Sequence, residues 1–386
     1  MSDQMVIKRE TVTIDRYDGN LKIEDHATLV PKGDTIIIDG VIICKGDFTC
    51  EGNLEARNIR CKRGEVEIQG DLKLSQYAKI DNKLTVKGSV IVPDVNVGGS
   101  LKVEKDIQSH DVKVGGSIKI ERNAAIESVK VGGTLKIDGE SNIGSISVGG
   151  SVKLYSVSQV DELKVGGSVK VAGGKFGSIK VGGTFKGEDE IEIDSIDVGG
   201  TIKVYDRARI WSLDVGGTFK AGSDLEFGSL DVGGTIKIEG NAKGESIQVG
   251  GTISCGGDLT LSKNLKVGGK AAIAQVLTAD EINIGGKIEA QLINAQYFKI
   301  GRRGKVEGTV KADIIIIRGR AKAENLYGKD VRLEERSEAE NVYGEVLTIE
   351  SKAKVHGEVQ YTKEAYIDPE AQLNSPAQKV SSLPSP

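Results

Sequence analysis

The chain of 386 residues is poor in proline (6), cysteine (4), methionine (2) and tryptophan (1), and aromatic residues make up only 4% of it. Scarce proline, with no three-residue glycine period, excludes a collagen-like triple helix. Cys44, Cys50, Cys61 and Cys255 form no C-x-x-C pair and are too few for a disulfide scaffold. They read as small buried apolar side chains in a reducing cytosol. With 52 basic and 56 acidic residues the net charge is only -4, so no global field favours nucleic acid, and nucleic-acid binding is not expected. Apolar runs such as residues 36–38 and 314–317 are strand-sized and far short of the roughly 18 residues that span a bilayer. The opening MSDQMVIKRE lacks the apolar stretch of a signal peptide. A cytoplasmic protein is expected.

What the chain does have is glycine, 51 residues of it, or about 13% where about 7% is usual. Much of it is ordered. Val-Gly-Gly, with Ile replacing Val once, begins at Val97, Val114, Val131, Val148, Val165, Val181, Val198, Val215, Val232, Val249, Val267 and Ile284, at intervals of 16 to 18 residues. In the copy at residues 198–214, numbered from Val198 as position 1, apolar residues fall at 5 and 7 (Ile202, Val204), at 11 and 13 (Ala208, Ile210), and at 16 and the next 1 (Leu213, Val215). Three i, i+2 pairs per unit follow the strand period, and the intervals between them are too short for a helix. The pattern therefore predicts an all-β fold: a single-stranded, triangular parallel β-helix of about 17 residues per coil, right-handed by the preference of parallel crossovers. Inward columns of Val, Ile and Leu would leave little room for aromatics. The double glycines would occupy corners that need positive φ.

Five segments follow: an N-terminal β cap or extension (1–34), degenerate coils (35–96), regular Val-Gly-Gly coils (97–300), C-terminal coils without the glycine pair (301–370), and a polar tail expected to be disordered (371–386).

Chemistry is hard to find. His26, His110 and His356 lie far apart, and the near-constant unit length leaves no room for the loops that carry the active sites of β-helical acyltransferases or carbohydrate-cleaving enzymes. No helix follows the glycine pairs, so a phosphate loop is excluded, and the calcium-binding nonapeptide is absent. No catalytic residue, metal or cofactor is expected. Position 4 is Ser or Thr in ten consecutive units from Ser100 to Thr252, read as hydroxyls bonding corner backbone. Position 6 is Lys102, Lys119, Lys136, Lys153, Lys170, Lys186, Lys203, Lys220 and Lys237 in nine successive units. Lying between inward positions, these lysines face outward. They form either a solvated face that discourages sideways pairing or a ladder that docks an anionic surface or an acidic protein. Glu104, Glu121, Asp138, Glu188 and Glu239 at position 8 offset part of the charge. At the C-terminal end, Val359, Ala365 and Ile367 would border an open face suited to end-to-end contact between copies.

Toward the C terminus, Val306-Glu307-Gly308-Thr309-Val310 and Val355-His356-Gly357-Glu358-Val359 give V-x-G-x-V corners at coil spacing. Here the chain resembles the bactofilins, polymer-forming cytoskeletal proteins, and would be an elongated member. The resemblance implies a right-handed triangular β-helix and end-to-end homopolymers that need no nucleotide. It further implies a scaffolding role in cell shape or in localising partners, and membrane association through a short N-terminal segment. Residues 1–10 are charged, so membrane binding is not expected from them. Two alternatives stand beside the self-assembling scaffold: a monomeric rod docking an anionic partner through the lysines, and, less favoured, a β-helical enzyme.

Overall fold

The computed structural model describes residues 4–385. All their regular structure is β, and the strands pair in parallel, each with its counterpart about one coil away in sequence. The fold is a β-solenoid, as the periodicity requires. It forms two compact units, Met1–Glu192 and Ile193–Pro386.

In the first unit, Ser100–Val103 pairs with Ser117–Ile120, which pairs in turn with Thr134–Ile137, so that like position stacks on like position. Leu101, Val103, Val112 and Val114 all point inward and are buried. The second unit repeats the arrangement: Thr201–Val204 stacks on Thr218–Ala221 and that on Thr235–Ile238. Each coil buries about six apolar side chains against the coils above and below. Full burial of one such Val, Leu or Ile favours the folded state by about 1.5–3 kcal/mol.

The core is wider than the composition suggests. All six phenylalanines, Phe48, Phe176, Phe185, Phe219, Phe227 and Phe298, are buried. Phe227 is housed by its neighbour one coil on: a Cβ at Gly244 would sit 2.3 Å from the Phe227 ring. A large side chain is thus matched by none at the stacked position.

The glycine corners also work differently from the expectation. Among the described glycines only Gly174 and Gly308 have positive φ, so the Val-Gly-Gly corners do not need glycine's left-handed freedom. They need its lack of a side chain. A Cβ on Gly115 would lie 2.1 Å from the Gly98 carbonyl oxygen, and one on Gly132 2.1 Å from that of Gly115. Corner backbones stack directly, with Gly115 N–H donating to Val97 O at 2.9 Å and Gly116 N–H to Gly99 O at 2.8 Å. The neighbouring Ser and Thr hydroxyls make no hydrogen bond to corner backbone among the described residues.

A second corner is closed by side chains. The Asp106 carboxylate accepts the Asn123 backbone N–H (3.0 Å), and the Asn123 side-chain oxygen accepts that of Glu140 (2.9 Å). Asp224, Asn241 and Asp258 pass the same bond upward to Asn241, Asp258 and Val276 at 2.7, 2.9 and 3.0 Å. Each short side chain supplies the acceptor that a turning backbone cannot.

Both ends continue the coil. In the segment expected as a cap or extension, Gln4–Ile7 pairs with Asn20–Ile23, Thr11–Thr13 with Ala27–Val30, and Arg16–Tyr17 with Thr35–Cys44. In the tail expected to be disordered, Gln372–Leu373 pairs with Lys354–Val355 and Gln378–Lys379 with Val359–Ile367. An open edge of the last full coil offers backbone groups that even polar sequence can bond. The four cysteines are buried and unpaired, Cys44 stacked in register on Cys61. Among the described residues no helix is long and apolar enough to cross a membrane.

Candidate functional site

Three surfaces carry chemistry: the lysine column, the two open edges, and the corners of the C-terminal coils.

In the first unit Lys102, Lys119, Lys136, Lys153, Lys170 and Lys186 stand in register on successive coils. Carboxylates two residues on thread between them. Lys102 reaches Glu104 at 2.6 Å and Glu121 at 3.6 Å; Lys119 reaches Glu121 at 2.6 Å and Lys136 reaches Asp138 at 2.9 Å. Lys170 and Lys186 share Glu188 at 3.0 and 3.4 Å. Hydrogen bonds from Lys102 and then Lys87 hold Glu104 below the ordinary carboxylate value, and the bond to Glu104 raises Lys102. The column is therefore a ladder of alternating sign. Where Tyr155 replaces the acid, Lys136 and Lys170 lie 5.1 and 5.6 Å from its ring centre, a cation–π arrangement. In the second unit Lys203, Lys220 and Lys237 stack in register, and Lys237 pairs with Glu239 at 2.6 Å. Lys153, Lys203 and Lys220 form no ion pair among the described residues.

The edges lie at the first and last coils. Gln4–Ile7 bonds only to Asn20–Ile23 among the described strands, and Val6 on it is exposed. At the other end Val359 is buried, whereas Ala365 and Ile367 are half-buried and Tyr366 between them is 61% exposed. The Gln378–Lys379 strand covers Gln360 and Tyr361 but leaves residues 364–367 with one neighbouring strand.

The C-terminal coils turn on a different corner. Arg303, Arg320, Arg336 and Lys352 have φ of 61, 62, 60 and 58°, and sit 17, 16 and 16 residues apart. Arg303 N–H donates to Gly319 O, Arg320 N–H to Glu335 O, and Arg336 N–H to Ser351 O, at 3.1–3.2 Å. Sequence reasoning passed over this column, although G-R-R-G, R-G-R-A, E-E-R-S and E-S-K-A recur at coil spacing after an apolar residue. Nearby, Tyr327 stacks on Tyr343 with ring centres 4.6 Å apart, and the Asn341 amide donates to Asn325 at 2.8 Å. The repeated A-E-N-x-Y-G is thus two identical rungs.

Residues 274–377 match the bactofilin family model. The family is described as polymer-forming cytoskeletal, and the match bears out the resemblance read from the V-x-G-x-V corners. The bactofilin-matched coils include both tyrosine rungs, the four cationic corners and the open residues Ala365 and Ile367. Within them Gly308 earns its place: its φ is 107°, and a Cβ there would lie 1.7 Å from the Ala290 carbonyl oxygen. Glu307 beside it is held at about 2 by hydrogen bonds from Lys287 and then Lys305. No curated protein and no solved structure matches the chain.

The three histidines remain apart. His26 bridges Asp25 and Asp47 at 3.0 Å each, His356 lies 3.8 Å from Glu338, and His110 is exposed. No three His, Cys, Asp or Glu side chains are grouped to hold a metal among the described residues.

Proposed function

We propose that the protein is a non-enzymatic structural scaffold that associates end to end with copies of itself into nucleotide-independent filaments, organising cell shape or localising other proteins. The observation that supports this most directly is the pair of open edges. Strand Gln4–Ile7 and residues 364–367 of strand Val359–Ile367 present backbone donors and acceptors without an outer strand among the described residues, beside Val6, Ala365, Ile367 and the exposed Tyr366. Such edges are templates for further strands, and contact that repeats without closing makes a filament. The polymer-forming description of the matched family agrees.

Negative-stain microscopy and sedimentation of the purified full chain test it. Filaments are expected for the unaltered protein and short particles for Ile367→Lys, which places a charge on the edge. Monodisperse monomers of the unaltered protein across concentration and salt would reject the reading. A second reading rests on Lys203 and Lys220 of the second unit, which form no ion pair among the described residues: a monomer that docks an acidic partner. Salt-sensitive capture of such a partner by monomers, lost on changing those two residues to Gln, would favour it.

A further inference from the structure

Every non-glycine residue with positive φ among the described residues is basic: Arg9, Arg63, Arg303, Arg320, Arg336 and Lys352. Four of them lie on consecutive coils of the second unit. Left-handed backbone is costly for a side chain with a Cβ, and where a non-glycine residue takes it, Asn, Asp and His are the ones enriched. Glycine was within reach, since Gly301, Gly304 and Gly319 stand at these same corners. Long cationic side chains stand where the backbone disfavours them, and observed strain of this kind points toward function.

The charge balance says what they do. Arg302, Arg303, Arg320 and Arg336 line a pocket of about 590 Å³ together with Glu334, Glu335 and Glu350. The three carboxylates are already engaged. Glu334 accepts from Arg318 at 3.5 Å and the Gly319 N–H at 3.1 Å. Glu350 accepts from Nε and Nη2 of Arg332 and from the Glu335 N–H, and Glu335 lies 3.4 Å from Arg336. Arg302, Arg303 and Arg320 are left with no carboxylate within ion-pair distance among the described residues, and all three are exposed. The backbones of Arg303 and Arg320 are pinned by the corner hydrogen bonds, so both side chains start from fixed positions before any ligand arrives.

We propose that this pocket binds a free oligophosphate. Arginine forks suit phosphate oxygens, which accept two parallel N–H bonds. The unpaired Arg303 and Arg320 stand one coil step, about 5 Å, apart. Arg336, shared with Glu335, continues the row by a second step, which fits a chain of several phosphates better than one. The arginines line a concave pocket rather than a flat face, which admits a narrow polyanion better than a broad anionic sheet, so a membrane is not the expected source of the phosphate.

Titration calorimetry of the full chain with sodium tripolyphosphate tests the assignment. Saturable binding that weakens as salt rises is expected. The double variant Arg303→Gly, Arg320→Gly relieves the strained backbone, so it keeps the fold while losing the forks. Its affinity should fall at least about tenfold, its circular dichroism and thermal midpoint holding or improving. Failure of the unaltered protein to bind tripolyphosphate would overturn the proposal, as would equal affinity in the double variant. Flotation with phosphatidylserine vesicles in the absence of tripolyphosphate binding would also overturn it, placing the phosphate on a lipid surface. None of these readouts depends on filament formation.

Discussion

The Val-Gly-Gly coils and the bactofilin-matched coils solve one problem in opposite ways. Both stack apolar columns inside, and both must turn the chain three times per coil. In the first region the turn is made by removing side chains, because a Cβ at one corner would meet the carbonyl oxygen of the corner one coil before it. In the second it is made by left-handed residues that keep long side chains and throw them outward. A glycine corner is compact and chemically blank. A cationic corner is strained and carries charge. The difference teaches that the regular coils keep their glycine corners blank and carry charge on their faces, whereas the last coils carry it at the corners as well.

Reversing the corners should break this contrast most visibly. Gly132→Val puts a Cβ against the Gly115 carbonyl oxygen, and a backbone atom cannot step aside. A loss of about 3 kcal/mol or more is expected, read as lost hydrogen-exchange protection in the adjoining coils. The opposite exchange, Arg320→Gly, should leave stability unchanged or raise it by up to about 1 kcal/mol. If both glycine substitutions and arginine removals proved equally damaging, the two corners would not differ as described.

The cores should behave alike. Leu213→Ala and Leu347→Ala remove equally buried side chains, and each should cost about 2–5 kcal/mol, measured by denaturant unfolding of the surrounding coils. A large gap between them would show that one region packs more loosely. Smaller again is the side-chain corner: Asn241→Ala removes the acceptor of the Asp258 N–H, a partly wetted bond worth about 0.5–1.5 kcal/mol.

The gentlest effect is titration. Glu307 is held at about 2 in the folded chain, below its unfolded value. Its stabilising contribution is complete above the ordinary carboxylate range, near pH 5, and is lost as pH falls toward 2. The bactofilin-matched coils should therefore lose hydrogen-exchange protection on acidification through that window, and Glu307→Gln should flatten the loss.

Much of this was legible in the sequence because a solenoid writes its geometry as a period. The i, i+2 pairs at Ile202 and Val204 or Ala208 and Ile210 assign inward faces directly, and twelve glycine pairs fix the coil length. The lysine column was legible too, though not the contacts between coils within it, such as Glu121 reaching back one coil to Lys102. Less accessible were features set by contact between coils. Nothing in one unit says that Gly115 is glycine because of Gly98 above it, or that Gly244 makes room for Phe227. The cationic corners escaped because positive φ at arginine has no propensity signal; only its recurrence at coil spacing could have revealed it. Continuation of the coil into the polar ends was hidden for a related reason, since edge pairing uses backbone rather than side chains.

The Phe227–Gly244 match has a consequence for how such a chain can change over generations. Coils that meet only through like-on-like stacking are interchangeable, so an in-frame duplication or loss of one of them alters length in fixed increments and leaves every seam intact. A coil carrying Phe227 is not exchangeable in this way: separated from the coil carrying Gly244, its ring would meet a side chain. Heritable lengthening and shortening should therefore avoid that junction, and treat those two coils as one indivisible piece.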